Sequence, residues 1–147
     1  MDKRTISARI LRVQGILILV VAAIHLAVTP LLRKTVEDRL SAADFQFAWP
    51  PLALSFIVMG VLLIPVGVGT WLCAAGVRAG ESWSWRIGIT NALAVLSLPL
   101  VLAFTMEKRY FTALPFLVAA IMISLVGVSM CWPLWWVRSE LTANPKR

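Results

Sequence analysis

Four long runs of apolar residues, broken by short polar stretches, organise the chain. They cover about residues 13–32, 52–75, 87–106 and 114–136. Each is close to the roughly 20 helical residues that cross a hydrocarbon core about 30 Å thick. Inside lipid every backbone N–H and C=O needs an internal partner, so helix is the expected conformation. A transmembrane β-barrel would instead show segments of about ten residues with alternating hydrophobicity. These runs do not alternate.

The connections are short. The longest, 33–51, mixes charges with Leu40, Phe45 and Phe47. Its central part, 36–47, is expected to lie on the outer membrane surface as one or two helical turns. The connections at 78–85 and 107–113 are tight, which makes sequential spans antiparallel neighbours. The predicted fold is an all-α membrane protein, an up-down-up-down four-helix bundle forming a single domain over 1–147. The first run resembles a signal peptide in its basic flank of Lys3, Arg4, Arg9 and Arg12. It is longer than an ordinary signal h-region, and Pro30-Leu31-Leu32-Arg33-Lys34 is no small-residue cleavage site. It is expected to be a retained helix.

Composition agrees. Hydrophobic residues make up 60% of the chain and charged residues 14%, against about 25% charged in soluble domains. Disorder requires low hydrophobicity and is excluded. The net charge of +7 would suggest nucleic acid in a soluble protein. Here the charges cluster at span ends, beside lipid head groups, so the bilayer and not nucleic acid is the expected partner.

The cations also orient the chain. Nine fall on the side of the termini and the second connection: Lys3, Arg4, Arg9, Arg12, Arg78, Arg86, Arg138, Lys146 and Arg147. Five fall opposite: Arg33, Lys34, Arg39, Lys108 and Arg109. Lys and Arg concentrate on the cytoplasmic side, so both termini are predicted to be cytoplasmic, in a plasma or inner membrane. Trp71, Trp83, Trp85, Trp132, Trp135 and Trp136 fall at the predicted inner interface, and Trp49 and Tyr110 at the outer one. That distribution is an interfacial belt. The six Phe residues (Phe45, Phe47, Phe56, Phe104, Phe111 and Phe116) lie toward the outer side. They are expected to face lipid or to line a cavity open to the outer leaflet.

Small residues let helices approach closely in lipid. Ala23 with Ala27, Gly88 with Ala92, Ala120 with Ser124, Gly60 with Gly67, and Gly69 with Gly76 each fall on one helix face by spacing. Pro65 and Pro99 are expected to bend spans two and three. Thr70, Asn91 and Ser129 come out at similar depth, about 6–11 Å from the inner boundary at 1.5 Å per residue. A buried amide needs partners, so Asn91 is expected to bond across helices to Thr70 or Ser129. Cys73 and Cys131 sit near the cytoplasmic ends of their spans and are expected to be structural thiols.

No Asp, Glu, Lys or Arg falls inside a predicted span. Small multidrug transporters also have four short helices but depend on a glutamate in the first span, where this chain carries His25, so that resemblance fails. His25 is the only histidine, and an ionisable intramembrane residue merits a functional hypothesis. It lies about 10 Å from the predicted outer boundary, with Met59 and Met122 at nearly the same depth. His25, Ser55, Phe56, Met59 and Met122 are the candidate ligand-binding set. A haem or chlorophyll-type metal, a quinone or another apolar ligand would suit such a pocket. No nucleophile motif, phosphate loop or clustered metal-ligand set is present in the sequence.

The expected function is therefore that of a non-enzymatic accessory or assembly subunit of a larger membrane complex, or a self-associating protein. The alternative is a binder or carrier of an apolar ligand or cofactor centred on His25. A third is a membrane enzyme acting on lipid.

Overall fold

A chain that satisfies its backbone internally in lipid is built of helices. The computed structural model, which describes residues 2–105, 112 and 114–142, is all-helical. It holds four long helices: α1 (Lys3–Glu37), α2 (Ala42–Ala79), α3 (Ser82–Thr105) and α4 (Leu114–Thr142). All four are long and apolar enough to cross a membrane. Residues 1, 106–111, 113 and 143–147 lie outside the described set. The expectations for Glu107, Lys108, Arg109, Tyr110, Phe111, Lys146 and Arg147 fall there, as does the Phe116 side chain.

The helices overrun the apolar runs, because charged ends continue the backbone ladder into the head-group region. The 33–51 connection is the largest departure from expectation. It is no separate surface segment: α1 continues to Glu37 and α2 begins at Ala42. The stop and start are local. Lys34 lies in the last turn of α1, where the helix dipole favours a cation. Ser41 then caps α2: the Asp44 backbone N–H donates to Ser41 Oγ at 3.2 Å, and Ser41 Oγ donates to Asp44 Oδ2 at 2.6 Å. Helix α2 continues through Pro50, Pro51 and Pro65, and α3 through Pro99.

The turn between α2 and α3 is set by Gly80, with φ +81°. Gly80 N–H donates to Val77 O at 3.2 Å and Glu81 N–H to Gly76 O at 2.9 Å. This is a Schellman closure, which needs a residue free to adopt left-handed backbone. Ser84 then fixes the first turn of α3, its Oγ donating to Glu81 O at 2.5 Å.

The chain divides into two compact units, Gly15–Val68 and the remainder, Met1–Gln14 with Gly69–Arg147. In the first unit, Gly15, Ile18, Ala22 and Thr29 form the buried stripe of α1. Two glycines of α2 meet it. A Cβ on Gly60 would lie 2.8 Å from Leu26 Cγ and 3.2 Å from Ala22 O. One on Gly67 would lie 2.8 Å from Leu19 Cγ and 3.1 Å from Gly15 O. Ala23 and Ala27, expected on a packing face, are exposed. The packed face of α1 is instead the one on which Gly15 and Ala22 bring its backbone to these glycines.

In the second unit the core holds Leu11, Cys73, Val77, Ala92, Met130, Leu134, Val137 and Leu141. Gly69 and Gly76 face α3: the added Cβ would lie 2.9 Å from Asn91 Nδ2 and 2.6 Å from Ser84 Cβ, respectively. Gly88 of α3 takes Leu134 of α4, and Gly127 of α4 takes Leu96 of α3. Gly88 and Ala92 are both buried, and Ala120 and Ser124 are half-buried.

Candidate functional site

In the Gly15–Val68 unit, His25 is half-buried on α1. Its Nδ1 lies 3.0 Å from Val21 O. A carbonyl only accepts, so Nδ1 carries the hydrogen, and in the neutral imidazole Nε2 is then an acceptor. Among the described residues no hydrogen bond reaches Nε2. The ring packs against Phe56 of α2, with centroids 5.8 Å apart at 33°. Thr29 Oγ1 donates to His25 O at 2.8 Å, which anchors the next turn.

The other members of the candidate ligand set are distributed differently. Ser55 is exposed, and its hydroxyl donates to Pro51 O at 2.8 Å, within its own helix. Met59 is half-buried on α2. Met122 belongs to the other unit and is exposed. His25 and Phe56 are therefore the pair that the structure brings into contact. The imidazole N–H of His25 is used within α1, on the carbonyl of its own preceding turn. Among the described residues no group of three His, Cys, Asp or Glu could hold a metal ion.

The second unit holds a polar layer. Asn91 Nδ2 donates to Thr70 Oγ1 at 3.3 Å, joining α3 to α2. Thr70 is fully buried. Gly69 makes room for the amide, since a Cβ there would press on Asn91 Nδ2. Ser129 turns to its own helix and donates to Val126 O at 2.8 Å. Gln14, which the sequence reading passed over at the edge of the first apolar run, belongs to the same unit. Among the described residues its Oε1 is buried without a partner, as is Trp85 Nε1. A lone amide at the second position of an apolar run was the available signal.

A third group gathers where α1 begins, α2 turns into α3, and α4 ends. Arg4 Nε donates to Glu140 Oε2 at 3.0 Å, and Arg4 Nη2 donates to Glu140 O at 3.4 Å. The last carbonyls of a helix lack intrahelical donors. Arg4 supplies one to α4 and places a cation at the negative end of its dipole. The same guanidinium lies over Gly80, where a Cβ would come 2.5 Å from Nη1. Ser7 Oγ donates to Pro133 O at 3.3 Å one turn further in. Lys3 sits over Trp136 at 5.6 Å, and Arg138 lies over both Trp85 at 5.4 Å and Trp135 at 5.3 Å. Trp83 Nε1 donates to the Glu81 carboxylate.

Of the Phe residues, Phe45 stacks on Trp49 with centroids 6.0 Å apart, while Phe47 and Phe104 are almost fully exposed. Comparison with protein-family models, with characterised proteins and with solved structures gives no match. The four apolar helices therefore define the class, a membrane protein, on their own.

Proposed function

We propose that this is a multi-pass protein of the cell membrane, with both termini cytoplasmic, that acts as a non-enzymatic accessory or assembly subunit. It binds other membrane subunits or further copies of itself. The observation that carries this reading is the outward apolar surface of the helices. Only 11–22% of the residues in the apolar window of each helix are buried. Bulky side chains such as Val20, Leu62, Leu93 and Leu125 point outward along all four. Lipid covers part of such a surface. Partner helices cover the rest, through close packing and interhelical bonds of the kind already present inside each unit.

The up-down order draws support from contacts within each unit. Gly60 meets Leu26 and Gly67 meets Leu19, so α1 and α2 pair in opposite senses. Gly76 with Ser84 and Gly69 with Asn91 do the same for α2 and α3. Gly88 with Leu134 and Gly127 with Leu96 repeat it for α3 and α4. Arg4 beside Glu140 and Ser7 beside Pro133 match it for α1 and α4. The aromatic and cationic contacts at the Arg4 end suit a head-group region rich in anionic lipid.

Cross-linking in intact membranes, followed by mass determination of the solubilised protein, tests the reading. Assemblies larger than one chain are expected. A strictly monomeric chain in both settings overturns it. The His25 environment favours a second reading, a binder of an apolar ligand, because Nε2 is left as an acceptor beside the Phe56 ring. A visible spectrum and a lipid-extract mass spectrum of the pure protein separate the two: a stoichiometric small molecule lost on His25→Leu supports the binder.

A further inference from the structure

Helices α3 and α4 enclose a shallow groove of about 400 Å³, lined by Ile89, Val128, Cys131, Trp132 and Trp135. Its lining is apolar apart from the thiol. Cys131, Trp132 and Trp135 lie three, four and seven residues after Val128, so they share one face of α4. Arg138 continues that face, about 4.5 Å beyond Trp135 at 1.5 Å per residue. Trp132 and Trp135 are 70% and 68% exposed, which leaves the groove open on the outside.

The guanidinium of Arg138 is held between the two helices by Trp85 of α3 and Trp135 of α4. Stacking uses the faces of a guanidinium and leaves its in-plane N–H donors to the edge. Among the described residues, no carboxylate pairs with Arg138 and no acceptor takes those donors. An unclaimed, planar, bidentate cation is suited to phosphate. Here it stands at head-group depth, at the mouth of a groove that runs along the apolar part of both helices. A ligand that satisfies both halves carries a phosphate and a hydrocarbon chain.

We propose that this groove binds an anionic phospholipid, with the phosphate on the edge of Arg138 and an acyl chain along Ile89, Val128 and Trp132. The proposed cytoplasmic orientation of the termini decides only which leaflet supplies the lipid. The binding can be tested without it.

Native mass spectrometry of the detergent-solubilised protein, titrated with phosphatidylglycerol or phosphatidylcholine, reads retained lipid directly. One phosphatidylglycerol should be retained in preference to phosphatidylcholine. Arg138→Gln should cut that preference about fivefold, the worth of one cation facing an anionic lipid. Arg78→Gln, which removes an exposed cation in the last turn of α2, should leave it unchanged. Val128→Phe fills the groove, keeps every charge, and should also displace the lipid. Unchanged melting temperatures establish that each variant is folded; if Arg138→Gln fails that check, Val128→Phe carries the test. Equal retention of the two lipids overturns the proposal, as does an equal effect of Arg78→Gln. Competition by inorganic phosphate alone would assign the site to a free anion, and a Cys131–Cys131 cross-link between copies would assign the groove to a second chain. Either outcome also overturns the proposal.

Discussion

Replacing Gly76 by alanine puts a methyl group where α2 meets α3 most tightly. The new Cβ would lie 2.6 Å from Ser84 Cβ and 2.9 Å from Trp83 Cζ2. Carbon atoms rest about 3.5–4.0 Å apart, so the helices must separate by about 0.9–1.4 Å. The ring end of Trp83 is exposed and can swing aside, but Ser84 cannot yield. Ser84 Cβ is fixed to the backbone, and its hydroxyl is bonded to Glu81 O at 2.5 Å. The shift also strains the turn, because Gly76 O accepts from Glu81 N–H at 2.9 Å. Overpacking of this kind costs about 1–3 kcal/mol. The helix-propensity gain of alanine offsets little of it, since in lipid the separated helices remain helical. Gly60→Ala is the comparison. Its nearest atoms are Cγ and Cδ2 of Leu26, a half-buried side chain that can change rotamer for about 0.5–1.5 kcal/mol. Thermal unfolding in one detergent, with both variants side by side, is the assay. Gly76→Ala should melt lower than Gly60→Ala, and adding Ser84→Gly to Gly76→Ala should recover most of the loss. Equal losses, or no recovery in the double variant, would refute the reasoning.

Three further outcomes are expected. Asn91→Leu removes the bond to Thr70 and should lose about 0.6–2 kcal/mol of helix association in the same melting assay; an unchanged or raised melting temperature would show that the bond contributes nothing. Reporter fusions at residue 42 and after residue 147 should read outside and cytoplasmic respectively, and an outside C-terminus or an odd number of crossings would end the proposed topology. If His25 is structural, His25→Gln should be tolerated and His25→Leu should destabilise modestly, whereas loss of a bound small molecule from both folded variants would make it a ligand-binding residue.

The four helices were legible because the apolar runs are long enough to cross the hydrocarbon core of a bilayer, and hydropathy needs no tertiary information to show that. The ends were less so. Hydropathy falls at Arg33, but a helix does not stop where charge begins, and α1 continues to Glu37. The signal for the first turn was present in Ser41 and Asp44, three residues apart with the spacing of a cap. It was obscured by the mixed apolar and charged pattern around it, which also suits a surface segment. Spacing placed Gly60 with Gly67 and Gly69 with Gly76, and depth placed Asn91 level with Thr70. Spacing alone offered Ala23 with Ala27 on equal terms, and those residues are exposed. For the candidate site, depth matched His25 to Met59 and Met122, but rotation about the helix axis decides contact. The ring His25 meets is that of Phe56.

That difference has a single physical origin. In water, exposing an apolar side chain costs free energy, so the pattern of apolar residues reports which face packs. In lipid, Leu93 or Ile24 is equally well solvated by hydrocarbon chains or by another helix, and its position says little about neighbours. The informative residues are those for which the alternatives are costly. Gly67 lets α1 approach closely at Gly15 and Leu19, where an added Cβ would lie 3.1 Å from Gly15 O and 2.8 Å from Leu19 Cγ. Asn91 would lose a bond between α3 and α2 if it turned away from Thr70. Arg4 donates to the Glu140 carbonyl at the end of α4, which lacks an intrahelical donor. By the same logic Arg138 is the side chain to question first. Its ring contacts hold it in place without using its donors, and a cation so positioned beside a bilayer is completed by the anion that the bilayer carries.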